Sequence, residues 1–305
     1  MIAVSAIMLF SGCASRDPAS DGTSDENAQN TDAGSDTAKP MIHGSSVDTA
    51  LSQEIYLDPA WEYADLAVIG SGCSVLYRGD PSENKKVIAI NAGHGTAGGE
   101  SERVYCHPDK TPKVTHGSNP KGSLKAVAVS AGMIFKNGET EAEVAMKVSD
   151  MLRTKLLDAG YDVLMIRDEA DVQLDNVART VIANNNAHCL VSIHFDGDGL
   201  NYDKGCFYIP VPDEIKQMDP VAKNWREHDR LGKTLVDALR ANKCSIYDGR
   251  IDALELTQTC YATVPAAVVE LGNAQSDISD EALEKYADGL LAGIETYMNE
   301  EADKK

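Results

Sequence analysis

Positive charge is scarce in this sequence. Its 305 residues include 28 lysines and arginines against 48 aspartates and glutamates, which gives a formal net charge of -20. Proteins that bind nucleic acid through the phosphate backbone depend on lysine and arginine to displace counterions. The charge balance therefore argues against nucleic acid as a partner, and it leaves open a partner with a basic surface.

Two further features are missing. Beyond the N-terminus there is no run of about 18 apolar residues, the length that a membrane-spanning helix needs. No two cysteines have the Cys-x-x-Cys spacing, which argues against a zinc site made of thiolates. Hydrophobic residues still make up 43% of the chain, enough for a full core.

The N-terminal segment 1–13 resembles an export signal. An apolar run ends at Ser11, Gly12 and Cys13, and small residues followed by cysteine are typical of a bacterial lipoprotein signal. This interpretation predicts a lipid on Cys13 that anchors the protein to a membrane, outside the cytoplasm and at the cell surface. The alternative is an ordinary secretory signal with an incidental cysteine. Both interpretations predict export.

Export changes the interpretation of the other cysteines. Their number is even, and an oxidising compartment permits disulfides. The sequence does not choose among the pairings, and Cys189 and Cys206 lie in apolar runs that suit buried thiols instead. The six residues are Cys73, Cys106, Cys189, Cys206, Cys244 and Cys260.

Composition divides the rest of the chain. Residues 14–46 hold almost nothing apolar and predict a disordered, acidic linker. Residues 47–85 return to a globular composition and predict a small N-terminal extension packed on the main domain, with a strand over 73–77. Residues 86–300 are the predicted main domain.

Short apolar runs alternate with amphipathic segments in that domain. Strands are predicted close to Val87 and over 161–166, 189–194, 206–209 and 266–271, and helices over 139–159, 171–186, 227–241 and 280–299. Strands that alternate with helices indicate parallel pairing. The sequence predicts a single α/β domain with a twisted, largely parallel sheet covered by helices on both faces.

Two of the predicted strands lead to a histidine. His94 follows the first strand of the main domain, and His194 ends the strand 189–194. Glu141 shares a face with the apolar residues of the first predicted helix, so it points inward. Side chains at the carboxyl ends of parallel strands converge on one crevice. Two imidazoles and one carboxylate therefore make a plausible zinc site with a fourth position open for water.

Glu270 lies within the apolar strand 266–271. Burial raises the pKa of a carboxyl group, which suits a group that takes a proton from water and passes it to a leaving nitrogen. The alternative stays open that these residues are unrelated, because histidines at strand ends also occur without a metal. Glu270 would then be a buried acid satisfied by a partner.

The segment 98–138 is rich in glycine, proline, lysine and serine and contains His107 and His116. Loops of this length in compact domains are usually functional or disordered. We interpret both histidines as loop residues in preference to metal ligands.

In their order and their residues, these segments resemble those of the zinc-dependent N-acetylmuramoyl-L-alanine amidases, which trim the bacterial cell wall. The resemblance covers about residues 86 to 297, and its motifs are Gly93-His94-Gly95, the helix start 141–148, 160–167, 171–174 with Arg179 and 183–184, 192–194, Gly205 and 265–272.

The resemblance implies a ligand set and a reaction. His94, Glu141 and His194 are the implied zinc ligands, and Glu270 is the implied catalytic acid/base. The implied substrate is peptidoglycan, and the implied reaction is hydrolysis of the amide between the lactyl group of N-acetylmuramic acid and L-alanine of the stem peptide.

The chain departs from the family pattern in three places. Asn91-Ala92 stands before Gly93 where the family has Asp-Pro, an aromatic residue is missing after Glu270, and the segment between His94 and Glu141 is longer than usual. We expect this long segment to border the cleft.

Three functions follow from these patterns. The first is an amidase that remodels the cell wall, with a protein activator that the sequence does not identify. The second is a zinc peptidase that cuts within the stem peptide. The third is a non-catalytic domain that binds the wall or activates another protein, although such a module needs no open metal position.

Three charged residues close to these motifs have further candidate roles. Arg167 and Arg179 could bind substrate carboxylates, whereas helix capping or a buried ion pair also explains them. Asp196, two residues beyond His194, is a candidate for orienting a metal ligand.

Overall fold

The computed structural model describes residues 52–80, 86–117 and 119–303. The predicted signal at 1–13 and the predicted linker at 14–46 lie outside these residues. Within them the elements are β1 (Ser52–Tyr56), β2 (Cys73–Tyr77), β3 (Val87–Ala92), β4 (Arg103–Tyr105), β5 (Lys125–Val127), α1 (Glu141–Asp158), β6 (Asp162–Met165), α2 (Asn176–Asn186), β7 (Cys189–Asp196), β8 (Phe207–Tyr208), α3 (Val221–Ala241), α4 (Thr257–Tyr261), β9 (Ala266–Asn273) and α5 (Asp280–Asp303).

Seven strands form one sheet in the order β1-β2-β6-β3-β7-β9-β8, and β4 pairs separately with β5. The four central strands are parallel, because β3 runs parallel to β6 and β7 and β7 runs parallel to β9. The outer pairs β1/β2, β2/β6 and β8/β9 are antiparallel. The predicted α/β fold with a largely parallel sheet is confirmed.

Both faces of the sheet are buried under helices. Ile88 and Ile90 of β3 point to one face, where they join a core that also contains Leu152 of α1, Leu235 of α3 and Leu290 of α5. Alternate residues point to the other face, where Ala89, Leu164 and Leu190 pack with Ala178 and Ile182 of α2. Strands buried on both faces have continuous apolar sequences, which is why the central strands were predictable.

Helix boundaries were less predictable than helix existence. The helix predicted from residue 171 begins at Asn176, because Asp175 caps it by accepting hydrogen bonds from Val177 N at 2.9 Å and Ala178 N at 2.8 Å. The helix predicted from residue 227 begins earlier, at Val221. The predictions omitted β1, the β4–β5 pair and the single-turn helix α4.

The segment predicted as an N-terminal extension contributes two strands to the main sheet. Its described part contains β1 and β2, and β2 pairs with β6. Ser74 of β2 donates a hydrogen bond to the carbonyl of Ile166. The boundary between segments 47–85 and 86–300 stays a prediction.

The six cysteines within the described residues are free thiols. Five of them are buried, including Cys189 and Cys206, and Cys73 is partly exposed. The interpretation of Cys189 and Cys206 as buried thiols is confirmed. A search of the described residues for a membrane-spanning helix found none of sufficient length and apolarity.

The cap of α2 gives a test of the fold. Asp175 is fully buried and also accepts hydrogen bonds from the backbone nitrogens of Val68 and Ile69. We expect Asp175→Ala to lower the free energy of unfolding by about 2–4 kcal/mol, because several buried N–H groups lose their acceptor. Urea denaturation measures the change.

Asp213→Ala is the matched control. The Asp213 side chain is 92% exposed and pairs with Lys216 at the surface, and such pairs contribute about 0–1 kcal/mol. Equal stability changes in the two variants would contradict the importance that we assign to Asp175.

Candidate metal centre

His94, Glu141 and His194 meet at the carboxyl ends of β3 and β7. Glu141 Oε1 lies 2.7 Å from His94 Nε2 and 3.0 Å from His194 Nδ1, and the two nitrogens are 3.1 Å apart. Ligand atoms of a tetrahedral zinc ion stand roughly 3.3 Å from one another. The three side chains form a group that could hold a metal ion.

The hydrogen bonds of His94 leave one ring nitrogen for a metal. Its Nδ1 lies 2.7 Å from the carbonyl oxygen of Ser130, which can only accept a hydrogen bond. A neutral His94 therefore carries its proton on Nδ1 and a lone pair on Nε2. That lone pair faces Glu141 Oε1, and two lone pairs at this distance repel unless a proton or a cation lies between them. The donor set fits a divalent metal ion.

His94 sits in a strained turn that Arg179 stabilises. The φ angle of His94 is 63°, in the left-handed region that non-glycine residues rarely adopt. Arg179 is fully buried and donates hydrogen bonds to His94 O at 2.6 Å and to Thr96 Oγ1 at 2.8 Å. It also donates to Asn91 Oδ1 at 3.1 Å. This guanidinium group connects β3 to the turn that carries the first histidine.

Arg167 connects the same turn to helix α1. It donates to the carbonyl oxygens of Ala92 at 3.1 Å, Gly93 at 3.0 Å and Ala142 at 2.6 Å. Arg167 is 1% exposed, and Arg179 is 0% exposed. The hypotheses of substrate binding, helix capping or an ion pair are wrong for both arginines. In the described part of the chain, their main partners are backbone carbonyls around His94.

Glu141 is the first residue of α1, and its position follows from the helix cap. Thr140 caps the helix and forms a capping box with Glu143, so Glu143 points to solvent and Glu141 points inward. Glu141 Oε1 also accepts from Phe195 N at 3.0 Å, and Oε2 accepts from Met133 N at 3.0 Å. Burial by itself raises the pKa of Glu141, but the neighbouring imidazoles of His194 and then His94 outweigh burial and lower the pKa. The carboxylate is therefore ionised.

Glu270 lies beside His194. The two residues are register partners on β9 and β7, so their side chains project from the same face of the sheet. Glu270 Oε2 is buried and has no hydrogen-bond partner in the described part of the chain. Burial, followed by the charge of Glu141, raises the pKa of Glu270 well above its usual range. The structure brings all four predicted site residues together.

His94, His194 and Glu270 face a cavity of about 240 Å³. Besides the sheet and Asn176 of α2, two chain segments line it, the long segment 98–138 and the residues around α4. The expectation that the long segment borders the cleft is confirmed. Its lining residues are Lys113, Asn119, Ala126, Val127, Val129 and Ser130, and those of the second segment are Leu254, Glu255, Leu256, Thr257 and Gln258.

Glu255 holds the long segment in place. Its Oε1 lies 2.5 Å from His107 Nε2, and its carboxylate accepts from Val114 N at 3.0 Å and from Thr115 N at 2.8 Å. His107 is 1% exposed. His107 is thus outside the metal group, as predicted, but it is a buried structural partner and not a simple loop residue. His116 is exposed.

Sequence reasoning missed Gly132, which lies behind the ligands. A Cβ atom at this position would stand 2.8 Å from Glu141 Oε2 and 2.8 Å from His94 Cδ2. The only sequence feature that could have indicated Gly132 is its place in a glycine-containing loop before α1, and many loop glycines share that feature.

Asp196 does not orient a ligand, because its carboxylate pairs with Lys204. That hypothesis is wrong.

Gly132 provides a test of the ligand geometry. We expect Gly132→Ala to weaken zinc binding by about tenfold or more, because the new methyl group displaces Glu141 or His94. Competition with a chromophoric chelator measures the affinity. Gly138→Ala is the matched control, since Gly138 also has a positive φ, 93°, but a Cβ atom there would meet nothing within 4 Å. An equal loss in both variants would mean that backbone strain is responsible.

The fold is similar to those of solved cell-wall amidases. The amidase Ami1 from Mycobacterium smegmatis aligns with a TM-score of 0.57 and 19% identity, over 70% of this chain and 97% of that chain. Ami1 from Mycobacterium abscessus aligns with a TM-score of 0.55 and 22% identity, over 70% and 98% of the two chains. AmiC2 of Nostoc punctiforme aligns with a TM-score of 0.51 and 17% identity, over 71% and 99%.

A comparison with curated protein sequences finds no match. The model of one protein family, described as N-acetylmuramoyl-L-alanine amidase, matches residues 88–296. The match includes all four site residues and more than half of the chain. The protein therefore belongs to the N-acetylmuramoyl-L-alanine amidase family.

Proposed function

We propose that this protein hydrolyses the amide bond between N-acetylmuramic acid and L-alanine of the peptidoglycan stem peptide, with a zinc ion held by His94, Glu141 and His194. One observation carries the proposal: Glu141 Oε1 lies 2.7 Å and 3.0 Å from one nitrogen of each histidine, beside a cavity that Glu270 also faces. Two imidazoles and a carboxylate are typical of catalytic zinc, which keeps one coordination position open. Membership of the amidase family supports the same activity.

Glu270 is the proposed acid/base. A zinc ion held by His94, Glu141 and His194 would supply Lewis acidity, which polarises a carbonyl group and lowers the pKa of water. Glu270 Oε2 has no hydrogen-bond partner in the described residues, so it is free to accept a proton from the attacking water. The same oxygen then delivers the proton to the leaving nitrogen, and L-alanine departs with a free amino group. Arg167 and Arg179 hold the turn that carries His94 and touch no reacting atom.

The proposal includes a place of action outside the cytoplasm, where peptidoglycan lies. The segment 1–13 would direct export, and a lipid on Cys13 would anchor the protein to a membrane. The segment 14–46 would act as the linker between this anchor and the folded part, with 86–300 as the catalytic domain. A protein activator is a further proposed partner.

Mass spectrometry of the fragments released from purified peptidoglycan tests the reaction. We expect stem peptides with a free L-alanine amino group, and we expect a zinc chelator to abolish their release and added zinc to restore it. Cleavage between residues of the stem peptide would assign a peptidase instead. A folded, zinc-loaded protein that binds peptidoglycan and releases no fragment would favour the non-catalytic alternative.

Substitution of Glu270 separates catalysis from metal binding. We expect Glu270→Ala to keep stoichiometric zinc and the native melting temperature and to lower kcat by roughly 10²–10⁴-fold, the usual contribution of a general acid/base. Glu214→Ala, at an exposed position, is the control and should leave kcat unchanged. A fully active Glu270→Ala variant would remove Glu270 from the mechanism.

Substitution of His194 tests the ligand assignment. We expect His194→Ala to lose stoichiometric zinc, measured by inductively coupled plasma mass spectrometry after dialysis, because two ligands hold zinc far less tightly than three. His116→Ala is the matched control at an exposed histidine and should retain zinc. Stoichiometric zinc in the His194→Ala protein would overturn the assignment.

A further inference from the structure

Lys113 carries a buried positive charge in the wall of the cavity. It is 4% exposed and lines the same cavity as the two histidines and Glu270. Its Nζ donates to the backbone carbonyl of Glu255 at 2.9 Å and forms no ion pair with a carboxylate of the described residues. Removing an ammonium group from water costs several kcal/mol unless a negative charge compensates it. Glu255 meets Nζ through its main-chain oxygen and not through its carboxylate, so the ammonium group has no direct ionic partner among the described residues.

The carboxylate of Glu255, the residue whose main-chain oxygen binds Lys113, accepts hydrogen bonds from other groups. The carboxylate of Glu255 binds His107, Val114 and Thr115, while Lys113 bonds only to the main-chain oxygen of Glu255. The ammonium group has three N–H donors, and the Glu255 carbonyl is its one acceptor among the described residues. The other two N–H groups have no hydrogen-bond partner among the described residues.

The other lining residues do not supply a second cation. Among the described residues that line the cavity, Lys113 is the sole lysine or arginine. Most of the others are neutral, such as Asn176, Thr257 and Gln258. A molecule that fills this volume of about 240 Å³ and reaches the metal centre therefore meets a single positive side chain in the remaining walls.

We propose that Lys113 binds a free carboxylate of the stem peptide, the one on the residue that follows L-alanine. This inference rests on the proposed function. When D-glutamate at that position is linked through its side chain, its α-carboxylate stays free and lies one residue from the scissile amide. In other peptidoglycans the same group is a neutral carboxamide. Lys113 thereby distinguishes the two wall chemistries, because a charged acceptor binds an ammonium group about twice as strongly as a neutral one.

Lys113 belongs to the long segment 98–138 and to none of the motifs that the chain shares with its family. The site that cleaves and the site that selects thus come from different parts of the chain. We infer that the long segment determines which stem peptides this protein accepts.

Three synthetic substrates test this proposal. The first two are N-acetylmuramoyl tripeptides with an amidated C-terminus, whose second residue is D-glutamate or D-isoglutamine. The third has D-isoglutamine and a free C-terminus, so it moves the carboxylate to the end of the peptide. We expect the wild type to prefer D-glutamate by roughly 10–100-fold in kcat/KM, the effect of one hydrogen bond to a charged group. The third substrate should behave like the second.

Two variants link this preference to Lys113. Lys113→Met should abolish the preference by raising KM for the D-glutamate substrate while kcat stays close to the wild-type value, the pattern of lost uniform binding. Lys113→Gln replaces it if the methionine variant does not fold. Lys121→Met is the matched control, because Lys121 is an exposed lysine of the same segment and should keep the full preference.

Binding to Glu270→Ala protein, measured by calorimetry with the same substrates, separates this inference from the proposed function. Tighter binding of the D-glutamate substrate that disappears in the Lys113→Met/Glu270→Ala protein supports the inference even if the wild type cleaves nothing, a result that would overturn the proposed function alone. Equal affinities and rates for both amidated substrates overturn the inference. A preference that follows the C-terminal carboxylate, or a Lys113→Met variant that slows both substrates equally, also overturns it.

Discussion

The buried charge of Glu141 is the constraint on which the site depends. An ionised carboxylate that is 3% exposed is stable only if every lone pair has a partner. Backbone N–H groups of Met133 and Phe195 supply two of these partners, and one nitrogen of each histidine lies 2.7 Å or 3.0 Å from Oε1, where a proton or a cation completes the contact. The Phe195 N–H is available at the point where the register of β7 against β9 shifts, between His194 and Asp196. One carboxylate thus joins the start of α1, the end of β7 and the turn after β3.

Arg167 and Arg179 satisfy backbone carbonyl oxygens of the turn that carries His94. The left-handed backbone at His94 exposes carbonyl oxygens that no strand or helix can satisfy. Each guanidinium group donates several hydrogen bonds to these oxygens. Its planar fork of N–H donors makes this possible, and lysine lacks such a fork. The histidine is held in an unfavourable conformation by buried groups whose own positions are set by the sheet and by α2. Such strain persists only where the surroundings stabilise it.

The long segment 98–138 is held beside the candidate metal centre by contacts with a distant part of the chain. Glu255 binds this segment through His107, Val114 and Thr115 and thereby places it opposite the histidines. The contacts join residues about 140 positions apart in the chain, so they belong to the tertiary structure and have no local pattern. The same contacts leave the Lys113 ammonium group in the cavity wall without an ion pair to any carboxylate of the described residues.

Local patterns determined the elements and the candidates. Continuous apolar runs predicted the central strands, because strands buried on both faces need apolar side chains on both. The periodicity of α1 predicted that Glu141 points inward and Glu143 outward, since the helix repeat separates neighbouring residues by face. Parallel pairing then predicted that His94, His194 and Glu270 approach one another at one end of the sheet.

Only the tertiary structure decided which groups satisfy the buried charges. The partners of Arg167, Arg179 and Glu255 are mainly backbone atoms, and every residue carries a backbone N–H or carbonyl, so no sequence pattern distinguishes them. The same is true of the cap at Asp175, of the close approach of Gly132 to Glu141 and His94, and of the burial of Lys113. Each depends on segments that meet only after folding. The sequence alone determined the type of chemistry at the site, because that depends on residue types at the ends of elements. The tertiary structure decided the geometry of the site, because that geometry depends on contacts between distant segments.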